Sequence, residues 1–184
     1  MAATALVVVD MLNPYEHEDA GKLVESVEEA VAPVRHLLDR AAAEDVEVIY
    51  VNDNYDDWSS SQEELARRAL AGRRADLVEP VLPPDRASFV IKARHSIFYG
   101  TPLEHLLHER EIDRLVLCGQ VTEQCILYSA LDAYVRRFRV AVASDAVAHI
   151  DPALGGAALR MMERNMRADV ASAASCDLSS AVRS

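Results

Sequence analysis

The run Leu6-Val7-Val8-Val9 is unbroken, apolar and mostly β-branched, and Asp10 stops it after four residues. A half-wet strand would alternate polar and apolar positions, and a half-wet helix would place a polar residue every third or fourth position. So short an unbroken run fits a strand buried on both faces, as in a parallel sheet with helices above and below. Similar runs follow at Val46–Val51, Phe89-Val90-Ile91, Leu115-Val116-Leu117 and Val140–Ala143, and residues 169–173 offer a sixth. Helical patterns separate them. Residues 22–43 carry Leu23, Val27, Ala30, Val31 and Val34 at helical spacing, with Pro33 expected to kink or break the helix. Residues 62–70, 102–110, 122–137 and 152–167 read as further helices, residues 52–61 (NDNYDDWSSS) as a loop, and Pro80, Pro83 and Pro84 as an extended connection. Strands alternating with helices predict one α/β domain over residues 1–184. It should be a doubly wound, mostly parallel six-stranded sheet with helices on both faces, Rossmann-like in build.

At 184 residues the chain can bury a core without disulfides or a structural metal. Composition, 51% hydrophobic and 27% charged, excludes a disordered chain. A net charge of −11 argues against nucleic acid or an anionic membrane as partner. The first apolar run is too short for a signal peptide core and has no basic residue before it, and no stretch approaches a membrane span. The expected location is therefore cytoplasmic, where Cys118, Cys125 and Cys176 should be free thiols. With no G-x-G-x-x-G or Walker pattern, neither a dinucleotide nor ATP is expected.

In doubly wound sheets, sites lie beyond the carboxyl ends of the strands. Asp10 follows the first strand, Lys92 follows FVI, and Cys125 comes shortly after LVLCG. A carboxylate, an amine and a thiol at one sheet edge would supply a base, a cation and a nucleophile. Each also has a plain reading, as a turn cap, a solvated strand-end charge or a small buried hydrophobe. Thr122 reads as an N-cap, which places Cys125 in the first turn of a helix. A helix N-terminus with a lysine nearby lowers a thiol pKa, so Cys125 is expected to be the activated cysteine.

Three motifs carry a resemblance. VVVDMLNPY contains Asp10 and Asn13. VIKARHSIFYGTPL contains Lys92, Ser96, Phe98, Gly100, Thr101 and Leu103. LCGQVTEQCI contains Gly119, Thr122, Glu123 and Cys125. In this order and spacing the chain resembles the isochorismatase-like cysteine hydrolases, a family that includes nicotinamidases and N-carbamoylsarcosine amidases. The resemblance implies an Asp10-Lys92-Cys125 triad. Asp10 would take the thiol proton and later return it to the leaving group, Lys92 would hold the carboxylate, and Cys125 would form a thioester that water hydrolyses. It also implies a cis Gln120–Val121 peptide and an oxyanion hole built from the amides of Val121 and Cys125. Gln120 departs from the aliphatic residue usual in the family. A homodimer or homotetramer is implied as well.

Metal-binding nicotinamidases of this family use an Asp and two His after the second strand. Here Asp53 stands at the Asp position, but no His follows in the loop, so no metal and no cofactor are expected. His105 and His108 read as a partly solvated helix face. Asn13, Tyr15, Trp58, Gln120 and Tyr128 are candidate substrate-binding residues, with His17, His95 and Tyr99 also near the strand ends. The reading is hydrolysis of a small amide, carbamoyl or ureido compound. The alternatives are vinyl ether hydrolysis of the isochorismatase type, for which a thiol is not required, and a non-catalytic ligand-binding module.

Overall fold

The computed structural model describes residues 3–179. Six strands form one parallel sheet in the order β3-β2-β1-β4-β5-β6. They are β1 (Ala3–Val9), β2 (Glu47–Asp53), β3 (Ser88–Lys92), β4 (Ile112–Gln120), β5 (Arg139–Ala148) and β6 (Asp169–Ala171). The helices are α1 (Ala20–Ala43), α2 (Gln62–Ala71), the single turn α3 (Ala75–Val78), α4 (Leu103–Glu109), α5 (Leu127–Val135) and α6 (Pro152–Met166).

The run that opened the sequence argument explains the layering. Leu6 and Val8 pack into one core with Leu23, Val27, Val34 and Leu37 of α1, while Ala5, Val7 and Val9 pack into another with Leu103, Ala130 and Met162 of α4, α5 and α6. Successive strand residues point to opposite faces, so a strand covered on both faces has no polar position to spare. Each fully buried valine contributes roughly 1.5–3 kcal/mol of hydrophobic stabilisation.

Four local expectations are corrected. Pro33 neither ends nor divides α1, which runs unbroken through it; the helix forgoes one backbone hydrogen bond, which the buried apolar stripe outweighs. Pro80 lies in a 3₁₀ turn, Glu79–Val81, not in an extended link. The helix expected from residue 122 starts with one turn of π-helix, Thr122–Ile126, before α5. Thr122 does not cap that turn, because its hydroxyl donates to the Ala148 carbonyl at 2.9 Å. No helix among the described residues is long and apolar enough to cross a membrane.

The strand order runs outward in both directions from β1 and β4, so the topological switch lies between those two strands. Crevices for ligands open there, at the carboxyl ends. Gly119 makes the junction possible. It pairs with Val9 at a φ of +111°, and a Cβ at this position would stand 2.1 Å from the Val9 carbonyl oxygen.

Candidate active site

The first strand ends in a left-handed residue. Asp10 has a φ of 55°, and its amide donates to the Val51 carbonyl at 3.0 Å. Asp and Asn tolerate this conformation better than most residues, and such outliers cluster at functional sites. Asp10 Oδ1 accepts the Asp53 amide at 2.7 Å, and Oδ2 lies 2.9 Å from Lys92 Nζ. Lys92, the last residue of β3, is a buried cation that also reaches Asp53 Oδ2 at 3.2 Å and the Cys125 sulfur at 3.5 Å. Cys125 and Asp10 thus share Lys92 as a common neighbour. Residues 10, 92 and 125 thus meet in one buried cluster on three different strand ends. The peptide between Gln120 and Val121, which leads from β4 to the π turn, is cis.

Charge counting decides the resting state. One ammonium faces two carboxylates, so a thiolate would be a third anion around a single cation. Burial first, and then the Asp10 charge, push the Cys125 thiol well above its ordinary range despite the opposing pull of Lys92. This reverses the expectation drawn from a helix N-terminus. Cys125 is 8% exposed, and desolvation together with a neighbouring carboxylate outweighs what the first turn offers. Burial also raises Asp10, with Lys92 pulling the other way. The charges of Asp10 and Asp53 hold Lys92 ionised against the cost of its own burial. Burial thus favours the neutral thiol, and Asp10 stands beside the same ammonium as the group that can receive its proton.

The other expected site residues fall in different places. Tyr128 is half-exposed, and its ring lies 5.4 Å from that of His95. Asn13 is buried and closes a turn by accepting the Tyr15 amide at 2.8 Å. Tyr15 and Gln120 are each 1% exposed, which leaves almost no surface for a ligand. The Gln120 side-chain amide donates to the Asp10 carbonyl, tying the cis-peptide segment to the end of β1. Trp58 is 83% exposed. Two residues take roles that the sequence did not assign: Asp53, at the metal position of relatives, uses its amide and carboxylate to hold Asp10 and Lys92, and His95, placed only near the strand ends, brings its Nδ1 to 3.8 Å from the Cys125 sulfur.

The residues present do not fit the metal site of the nicotinamidases. Asp53 Oδ2 faces Lys92 and Oδ1 accepts the Tyr55 amide at 2.8 Å, and no group of three or more metal-ligating side chains gathers among the described residues.

Fold and site together define a class: a doubly wound α/β enzyme with a thiol, an ammonium and a carboxylate gathered at its switch point. Known proteins narrow the class to a family. The isochorismatase domain model matches residues 4–175. YaaI of Bacillus subtilis (strain 168), an uncharacterised isochorismatase family protein, is 30% identical over 169 residues, 92% of this chain and 93% of its own. The ureidoacrylate amidohydrolase RutB of Agrobacterium fabrum is 30% identical over 176 residues, 81% of this chain and 77% of its own. The N-carbamoylsarcosine amidase of Thermoplasma acidophilum superposes with a TM-score of 0.73 at 28% identity, over 95% of this chain and 99% of that one. The chain belongs to the isochorismatase family and is a hydrolase of that family.

Proposed function

We propose that the protein is a cysteine amidohydrolase that cleaves a small amide, carbamoyl or ureido compound through a thioester. One observation carries the reading: a single buried ammonium, Lys92, 2.9 Å from Asp10 and 3.5 Å from the Cys125 sulfur. Asp10 removes the thiol proton as sulfur attacks the carbonyl carbon, so the thiolate need exist only in the transition state. Lys92 keeps Asp10 oriented and offsets the charge passing between oxygen and sulfur. The amides of Val121 and Cys125 form the oxyanion hole, an effect worth about 3–4 kcal/mol per donor. Collapse of the tetrahedral intermediate expels ammonia or an amine and leaves a thioester, and water then releases the acid. The ureido and carbamoyl substrates in the names of two relatives support this substrate class. Vinyl ether cleavage calls for no nucleophilic thiol, and a mere binding module would call for none of the three groups.

The test is a screen of small amides and ureides for ammonia release, with Cys125→Ala as the blank. On any substrate found, Asp10→Asn, which nearly preserves shape, should lower kcat/KM by roughly 10²–10⁴-fold in a chain that still folds cooperatively, with a lower melting temperature because Lys92 loses one of its two carboxylates. Near-normal turnover by folded Asp10→Asn would remove Asp10 from the chemistry.

A further inference from the structure

We propose that His95 is a catalytic residue, the general acid that protonates the departing nitrogen, while Asp10 serves the sulfur. The inference rests on the amidohydrolase reading. Its starting point is how fully the other groups around the thiol are engaged. Both oxygens of Asp10 are occupied, one by the Asp53 amide and the other by Lys92. Lys92 is buried, in contact with Asp10, Asp53 and Cys125, and held ionised by the two carboxylates, which makes it a reluctant proton donor. His95 differs from both. It is exposed, and its Nδ1 nevertheless approaches the Cys125 sulfur to 3.8 Å. It therefore stands on the solvent side of the nucleophile, where a substrate must enter.

The distance suits the task. A carbonyl carbon bonded to sulfur would hold its leaving nitrogen within hydrogen-bond reach of a group placed so close to the sulfur. The surrounding structure fixes the ring. The His95 and Tyr128 rings meet at 5.4 Å. Next along the chain, the Ser96 hydroxyl donates to Asp132 and the Ile97 amide to the Ser129 hydroxyl at 3.1 Å, so α5 holds the segment that carries His95.

The protons balance over the cycle. In acylation the thiol proton moves to Asp10, the sulfur–carbon bond forms, and imidazolium His95 gives its proton to the nitrogen as the carbon–nitrogen bond breaks. Asp10 is then protonated and His95 neutral. In deacylation water loses a proton to His95 as its oxygen attacks the thioester, and Asp10 returns its proton to the departing sulfur. One water is consumed, and one acid and one amine or ammonia are released.

The experiment compares two leaving groups on one acyl group: the amide found by the ammonia screen, and the p-nitrophenyl ester of the same acid, with p-nitrophenyl acetate as a general probe. For both, kcat/KM reports acylation. An amine cannot depart unprotonated, whereas nitrophenolate can. His95→Asn keeps a polar group near the Nδ1 position but cannot act as an acid. It should lower kcat/KM for the amide by 10²-fold or more and change that for the ester by less than about threefold. His95→Phe, which keeps a ring against Tyr128, should behave in the same way. Equal losses on both substrates would reduce His95 to a structural wall, and an amide rate within threefold of wild type would remove it from the reaction. Cys125→Ala guards the underlying reading: should it hydrolyse either probe at the wild-type rate, the nucleophile lies elsewhere, whatever His95 does.

Discussion

Lys92 is the residue on which the site's electrostatics turn, because its side chain is wholly out of solvent between two carboxylates. Breaking a buried pair by removing one partner typically costs about 3–5 kcal/mol, since the charge left behind is neither solvated nor paired. Lys92→Ala should therefore lose stability as well as turnover, contrary to what a strand-end lysine read from sequence suggests. The loss should depend on pH. Burial and Asp53 already raise Asp10, and without the opposing cation it would sit higher still in the folded state. A raised carboxyl favours folding at low pH, and that advantage disappears as pH climbs through the folded value. The variant's melting deficit against wild type should thus be larger at pH 8 than at pH 5, and an equal deficit at both would show that Asp10 does not depend on Lys92 for its charge. Asp10, Lys92 and Cys125 were legible in sequence because each closes or closely follows an apolar run. The ionisation state of Cys125 was not, since it depends on Asp53 and Asp10 arriving from other strands. The sequence places His95 only near the strand ends, and its approach to the sulfur was not legible, because hydrogen bonds from its neighbours Ser96 and Ile97 to Asp132 and Ser129, more than thirty residues away, set its place.

At the scale of elements, the contact between β1 and β4 sets how closely Asp10 can approach the turn that bears Cys125. Gly119→Ala tests it. The added Cβ would meet the backbone of Val9 with no flexible side chain able to give way, at a φ that L residues rarely adopt. A penalty of at least about 3 kcal/mol, or roughly 6–12 °C in Tm for a chain of this size, is expected in thermal melts. A Tm within 2 °C of wild type would mean that the strands can part there without harm. The strands themselves were readable, because a run buried on both faces leaves an unbroken apolar signature. Helix starts were less so. Thr122 has the chemistry of a cap, but its hydroxyl is drawn to Ala148, and Glu123 reaches the Ile150 and Asp151 amides at 2.9 Å instead. Pro33 has the chemistry of a breaker, but the burial of Leu23, Val27, Val34 and Leu37 carries α1 across it.

Taken whole, the molecule keeps its thiols out of water, and this links its stability to alkaline pH. Burial raises all three cysteines above the ordinary thiol value of 9.0, Cys176 to about 11 and the other two further, and it raises Tyr15 to about 12. An unfolded chain releases these protons first. The stabilisation is therefore complete below about pH 8.5 and drains away as pH rises towards the folded values, by up to about 1.4 kcal/mol per pH unit for each thiol. Melting temperatures under reducing conditions should fall steeply between pH 8.5 and 10.5, and Cys118→Ala should soften that slope; a flat profile would contradict the burial. The strand order has a further consequence, for synthesis. On the ribosome β1 is made long before β4, yet in the finished sheet it lies between β2 and β4. A nascent chain can pair β1 with β2 and β2 with β3, but one flank of its central strand stays open until residue 120 has emerged. Over that interval Asp10 and Lys92 exist without their nucleophile, and the most hydrophobic strand presents a bare edge. The growing chain is thus most open to mispairing, and to capture by a chaperone, in the stretch of translation just before β4 and the nucleophile that follows it emerge.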